Sequence, residues 1–260
     1  MNTLLITGGS SGIGLATVQY FVSKRWQVFE LSRSGNSSEQ ISHIYCDVTD
    51  ESSVQQAIAE VMKHTDHIDV VISNAGFGIS GPIEFTDSNA AKKQFEVNFF
   101  GAFYLVKAVL PILRQQGYGR ILFTSSVAAE LSIPYQGFYS ASKSAINALA
   151  LALANEVREF GIHVAVLMPG DVATGFTNAR EKEIKGAEVY RKAHSAVAAM
   201  EKDERSGMPP TQMARCLYKM ATNQSPKPMY VGGTIYKFFC LLNRLLPKRL
   251  VNWIVGKLYC

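Results

Sequence analysis

Thr3-Leu4-Leu5-Ile6-Thr7-Gly8-Gly9-Ser10-Ser11-Gly12-Ile13-Gly14 stands at the start of the chain, and its reading decides the fold. The first five residues are uncharged and mostly apolar, which fits a strand buried on both faces. The glycines that follow allow a tight turn and a close approach of backbone to a ligand. A helix comes next, with Leu15, Val18 and Val22 on one face and Lys24 and Arg25 at its C-terminal end, where cations suit the dipole. Strand, glycine turn and helix N-terminus together form a corner suited to a pyrophosphate. The spacing is G-x-x-x-G-x-G, so the usual G-x-G-x-x-G dinucleotide fingerprint is not matched.

Working outward, apolar runs at 27–31, 44–46, 68–73, 121–125, 163–168 and 229–231 read as six further strands. Helical patterns lie between them: one marked by Val54, Ile58 and Val61, a long one over 89–115, and one over 141–159. Strands alternating with helices predict βαβ units joined by right-handed crossovers. The expected architecture is α/β: a doubly wound, mostly parallel, seven-stranded Rossmann-type sheet in a single domain. That domain is expected to cover 1–233, with a basic amphipathic helical extension over 234–260. The stretch 171–208 is polar and weakly periodic, which predicts a loop-helix excursion over a site.

A chain of 260 residues that is 47% hydrophobic and 18% charged is not a disordered one. Cys46, Cys216, Cys240 and Cys260 are far apart and suit a reducing, cytoplasmic setting. A first strand beginning at Thr3 leaves no room for a leader peptide. The five histidines lack metal-binding spacing, so no metal is expected.

Chemistry concentrates at Tyr139-Ser140-Ala141-Ser142-Lys143. The i, i+4 spacing puts Tyr139 and Lys143 on one helix face. An ammonium beside a phenol favours the phenolate, so the tyrosine pKa is expected to fall and to serve acid–base chemistry near neutral pH. Alone, such a pair is more often a solvated helix face.

The company it keeps changes that. Thr7-Gly8-x-x-x-Gly12-Ile13-Gly14, Asn74-Ala75-Gly76, Asn98, Ser126, Tyr139-x-x-x-Lys143 and Pro169-Gly170 occur in one order. The set resembles the classical short-chain dehydrogenases/reductases over about residues 3–233. The resemblance implies a nicotinamide cofactor and hydride transfer between an alcohol and a carbonyl. It implies Asn98, Ser126, Tyr139 and Lys143 as catalytic residues. As cofactor contacts it implies the turn Gly8, Ser10, Ser11, Gly12, Ile13 and Gly14; Ser32 and Arg33; Asp47 and Val48 at the adenine; and Asn74, Ala75 and Gly76. Tyr139, Lys143, Pro169, Gly170, Val172 and Thr174 complete that set. Ser73 and Ala129 depart from the family's usual residues, outside any catalytic role.

NADP(H) is expected over NAD, because the second strand ends in Ser32-Arg33 with no acid to hold a ribose 2′-hydroxyl. A guanidinium fits a 2′-phosphate. Phe77, Ile79, Ile133, Pro134, Tyr135, Phe176 and Tyr190 lie near motif ends where a pocket opens, although as core residues they look the same. Gly81-Pro82-Ile83-Glu84 after Asn74-Ala75-Gly76-Phe77-Gly78 resembles members acting on steroid, retinoid or other bulky hydrophobic substrates. Rival readings are a 3-oxoacyl thioester reductase and an NADPH-sensing protein without turnover. A homo-oligomer, dimer or tetramer, is expected, and no nucleic acid.

Charge is unevenly placed. Residues 205–260 hold nine Lys and Arg and no acid, whereas the first 204 hold 17 basic and 21 acidic groups. Within 235–260, Pro247 divides two short amphipathic helices. The first is expected to gather Lys237, Cys240, Asn243 and Arg244 on one face. The second is expected to oppose Leu250, Val251, Ile254, Val255 and Leu258 to Lys248, Arg249, Asn252 and Lys257. Peripheral contact with an anionic membrane is one expectation for this segment; a pocket lid or a subunit interface is the other.

Overall fold

A computed structural model describes residues 1–182 and 184–259; Cys260, at the end of the C-terminal segment, lies outside the described residues. In chain order the elements are β1 (Thr3–Thr7), α1 (Gly12–Ser23), β2 (Gln27–Ser32), β3 (Ile41–Tyr45), α2 (Glu51–Val61), β4 (Val70–Ser73) and β5 (Ile79–Ser80). Then follow α3 (Ser88–Phe95), α4 (Gly101–Gln116), β6 (Gly119–Thr124), α5 (Gly137–Glu156), β7 (Ile162–Pro169), α6 (Phe176–Ala179) and β8 (Glu181–Lys182). The chain closes with α7 (Ala193–Arg205), α8 (Pro210–Thr222), β9 (Met229–Gly232), α9 (Thr234–Leu245) and α10 (Lys248–Tyr259).

Seven strands form one parallel sheet in the order β3-β2-β1-β4-β6-β7-β9. The doubly wound, single-domain architecture expected from the sequence is therefore present. Strand residues alternate between two helical layers. Leu5, Phe29, Val71 and Phe123 pack on one face with residues of α2, α4 and α5. Leu4, Ile6, Val28, Ile72 and Leu122 pack on the other, against α1 and α8. Every residue of β1 is buried, as a central parallel strand requires. Chain direction reverses its lateral progress between β1 and β4, and a crevice opens there beyond the carboxyl ends of the strands.

Local chemistry sets the helix ends. Asp50 accepts from Ser52 N to cap α2, and Asp87 accepts from Asn89 N and Ala90 N to cap α3. Gly117, at φ 74°, ends α4 in the left-handed region. The long helix expected over 89–115 is interrupted. A π-helical turn at Glu96–Phe100 separates α3 from α4 and carries Asn98. A 3.6-residue apolar period does not betray a single inserted residue. α5 begins at Gly137, earlier than expected, so Tyr139 falls inside its first turn. The short parallel pairing of β5 with β8 ties the 171–208 excursion back to the loop after β4.

Candidate active site

The crevice is a cavity of about 690 Å³, within the range of small-molecule sites. Six strand ends feed it, those of β1, β2, β3, β4, β6 and β7. After β1, Gly8 and Gly12 adopt φ of 66° and 54°, conformations that cost an L side chain energy. Thr7 Oγ1 accepts from Asn74 N (3.2 Å) and Ala75 N (3.3 Å), and Asn74 Nδ2 donates to Gly8 O (3.0 Å). These bonds stitch the ends of β1 and β4 together beside the cavity. Gly8, Ser10, Ser11, Gly12 and Ile13 line it. Gly14 does not. A Cβ at Gly14 would overlap Gly8 O and come within 2.7 Å of Asn74 Nδ2, so this glycine is required for packing under the turn.

The α1 N-terminus has no side-chain cap from Ser11 and no acid in its first turn. Its amides face the cavity unneutralised, which fits a pyrophosphate. At the end of β2, Ser32 and Arg33 both line the cavity. Arg33 is exposed, whereas Ser32 is buried and turned inward. Ser32 Oγ lies 3.1 Å from Glu30 Oε2 and 2.7 Å from Ser34 O. Glu30 is itself buried, with His43 Nδ1 at 2.7 Å from the same oxygen. β2 thus does carry an acid near its end, on the same face as Ser32, but its side chain packs beneath Gly9 with its carboxyl taken up by Ser32 and His43, and it lies outside the lining. Asp47 and Val48 line the cavity next to Arg33. Hydrogen bonds from Thr49 hold the Asp47 carboxyl below its usual range, and the Arg33 charge adds to this.

At the other end, Ser126, Tyr139 and Lys143 line the same space. Ser126 follows β6 and caps the next turn by accepting from Ala128 N at 3.1 Å. Its hydroxyl also hydrogen-bonds the Tyr139 phenol. Lys143 is buried and its Nζ donates to Thr124 O at 2.9 Å. The expected fall of the tyrosine pKa does not occur. Burial pushes Tyr139 up to about 12, against the opposing Ser126 bond, and burial brings Lys143 down to about 8. The ammonium lies 5.9 Å from the Tyr139 ring centroid. At that separation desolvation of both groups outweighs their attraction. Tyr139 is therefore a neutral proton donor at pH 7.

Asn98 lies behind the lining. Its Oδ1 accepts from Phe77 N (3.0 Å), and its Nδ2 donates to Phe77 O (3.0 Å) and Ser142 Oγ (3.0 Å). It ties the loop after β4 to the Tyr139 helix. Gly76 lines the cavity between Asn98 and Lys143; a Cβ there would come within 3.1 Å of Asn98 Oδ1 and 3.3 Å of Lys143 Nζ. Asn74, Ala75, Pro169, Gly170, Val172 and Thr174 complete the lining from β4 and β7.

Of the expected pocket side chains, Phe77, Ile133 and Phe176 line the cavity. Ile79 is buried in the β5–β8 pairing, and Tyr190 is at the surface, donating to Glu84 Oε2 at 2.8 Å. Pro134 and Tyr135 lie outside the lining, with Tyr135 in a turn at φ 61°. The structure adds Asp171, Met200, Glu204 and Tyr259 to the wall. Asp171 directly follows Pro169-Gly170, a motif-end signal that was available. Met200, Glu204 and Tyr259 come from α7 and α10, and no local pattern marks them.

The uncapped helix terminus at one end and the Ser126–Tyr139–Lys143 group at the other define a dinucleotide-dependent oxidoreductase. The chain matches the short chain dehydrogenase family over residues 2–185. It is 35% identical to the 3-ketodihydrosphingosine reductase of Bacteroides thetaiotaomicron, over 98% of this chain and 97% of that protein. It is 28% identical to the NADPH-dependent 3-dehydrocapnine reductase of Ornithobacterium rhinotracheale, over 99% and 97% of the two chains. The crystal structure of a short-chain dehydrogenase from Streptomyces avermitilis superposes with a TM-score of 0.85 at 25% identity, covering 98% of this chain and 95% of that one. The protein belongs to the short-chain dehydrogenases, oxidoreductases that use a nicotinamide cofactor.

Proposed function

We propose that this protein is an NADPH-dependent reductase of a ketone on a long-chain, lipid-like molecule. One observation carries the reading: Ser126, Tyr139 and Lys143, from two elements, meet on the wall of the cavity that the bare α1 N-terminus opens into. The α1 amides would hold the pyrophosphate and Arg33 the 2′-phosphate, with Asp47 and Val48 beside the adenine. Asn74, Gly76, Pro169, Gly170 and Thr174 would line the nicotinamide half. The nicotinamide, when bound, supplies the hydride.

The chain's own residues then handle the oxygen. Ser126 Oγ donates a hydrogen bond to the carbonyl oxygen and aims it at Tyr139. Tyr139 Oη, neutral on the cavity wall, gives its proton to the alkoxide as it forms. Lys143 Nζ stabilises the phenolate left behind and, with a pKa of about 8, can return a proton to it. Asn98 holds the Phe77 backbone and Ser142 and so positions the wall, without touching the reacting atoms.

Phe77, Ile133, Phe176 and Met200 make the remaining wall apolar, which suits an alkyl chain. Asp171 and Glu204 stand on one side of it, Glu204 paired with buried Arg180 and Asp171 accepting from Tyr236 Oη. The keto-lipid reductases among the relatives support the same substrate class. The test is NADPH oxidation, followed by absorbance, with 3-ketodihydrosphingosine, a steroid ketone and a 3-oxoacyl thioester. Turnover is expected to be fastest with the sphingoid ketone. Tyr139→Phe should lower kcat by at least ~10²-fold while NADPH still binds. Fastest turnover of the thioester would overturn the substrate class, and a variant within about threefold of wild type would overturn the acid–base role.

A further inference from the structure

α9 and α10 turn most of their large apolar side chains outward. The side of α9 that faces the protein carries Tyr236, Cys240 and Asn243. Asn243 Nδ2 donates to Glu130 O at 3.1 Å, and its Oδ1 accepts from Lys248 Nζ at 3.0 Å. Lys237 and Arg244, expected on that same face, are exposed. The apolar residues Ile235, Phe238, Leu241 and Leu245 point outward, with Phe238 56% and Leu245 70% exposed. On α10, Val255 is inside while Leu250, Trp253, Ile254 and Leu258 are outside, Trp253 at 60% and Leu258 at 63% exposure. At about 100° per residue these side chains form one outward stripe on each helix. Isolated exposed leucines are ordinary; two consecutive helices that bury only Cys240, Asn243 and Val255 and expose their largest apolar side chains are not.

Charge identifies what covers the stripes. Lys237, Arg244, Arg249 and Lys257 are exposed on the same two helices, and no acid occurs after Glu204. A second copy of the chain would bring the same positive charge to a shared interface, where like charges repel. An anionic bilayer satisfies both the apolar stripes and the basic residues, whose long stems reach up to the headgroups. Each helix has 12 residues, well short of the ~20 needed to span a bilayer. Among the described residues the one helical stretch of spanning length and apolarity is Ser88–Gln116, which packs in the core through Leu105, Val109 and Leu113.

We propose that α9 and α10 seat the protein on an anionic lipid surface, lying in the headgroup plane. The same helices join the cavity wall: Tyr259 lines it, and Tyr236 donates to Asp171 Oδ2 at 2.5 Å. Docking brings that wall to the lipid surface, but it stands on the helix faces and the charge alone. It is read without turnover, so it holds or fails separately from the keto-lipid reading.

The test is co-sedimentation of the full chain at low salt with vesicles of phosphatidylcholine and phosphatidylglycerol, and with phosphatidylcholine alone. Wild type is expected in the pellet with the anionic vesicles, with at least ~10-fold weaker binding to the neutral ones. A Phe238→Ser, Leu245→Ser, Trp253→Ser variant should stay in the supernatant. So should an Arg244→Glu, Arg249→Glu variant, which alters no packing. Both should keep the wild-type melting temperature and NADPH binding. Wild type remaining in the supernatant, or folded variants pelleting as wild type does, overturns the proposal. A dimer that the triple variant dissociates, together with no vesicle binding, overturns it in favour of an interface between copies.

Discussion

Lys143 holds its charge at a cost, and replacing it by methionine exposes that cost. Burial brings Lys143 from its ordinary 10.5 down to about 8. At about 1.4 kcal/mol per unit, keeping the ammonium in the folded protein costs about 3 kcal/mol at neutral pH. The folded chain sheds this proton near 8, whereas the unfolded chain keeps it until 10.5. Between those values the unfolded state binds more protons, so wild-type stability rises with pH. Lys143→Met fills similar space and has nothing to titrate. It also loses the bond to Thr124 O, by the same amount at every pH, so the change in the stability gap isolates the charge. At about pH 9.5, about 1.5 units above the folded value, about 2 kcal/mol of the cost is relieved. Urea unfolding of both proteins without cofactor, at pH 7 and at about pH 9.5, should show wild type gaining about 2 kcal/mol on the variant. A gap constant to within about 0.5 kcal/mol would refute the burial argument. In turnover, wild-type kcat/KM should fall at alkaline pH with an onset no lower than about 8, since anionic cofactor can only raise the Lys143 value. The variant should be slow at every pH.

Two further perturbations probe the cofactor end. Arg33→Glu should move the ratio of kcat/KM for NADPH over NADH by at least ~10-fold towards NADH, because it places a carboxylate where a 2′-phosphate would lie; an unchanged ratio removes Arg33 from cofactor choice. Ser32→Asp is the poorer probe, since it would set a second carboxylate against buried Glu30. Gly14→Ala should cost about 3 kcal/mol in urea unfolding, because its Cβ meets the Gly8 backbone. Gly175→Ala, with nothing within 4 Å of its Cβ, should change stability by less than about 0.5 kcal/mol. Equal effects at the two glycines would contradict the turn packing.

Much was legible in the sequence because it is local. Thr3–Thr7 is apolar on both faces, so it belongs in the middle of a parallel sheet, and the glycines after it need only backbone sterics to be read. The family follows from six short motifs in one order. The π-turn at Asn98 was not legible, because one inserted residue leaves the apolar pattern on both sides intact.

What the linear chain determined was composition, order and spacing: an alternating α/β chain, a glycine turn before a helix, and a Tyr and Lys one helical turn apart. Tertiary structure alone decided their environment. The i, i+4 rule brings Lys143 to Tyr139, but burial sets their proton affinities and reverses the expected shift. Contacts with Ser32, His43 and Gly9 hold the Glu30 side chain under the turn, although it stands two residues before Ser32 on the same strand face. α10, more than a hundred residues from Tyr139, brings Tyr259 into the same cavity. The C-terminal helices are amphipathic in either orientation. Which face turned inward was settled by a carbonyl on Glu130 that Asn243 could reach and by a backbone at Gly170 that Tyr236 could cover. Desolvation and facing are properties of surroundings, and surroundings come from residues distant in the chain.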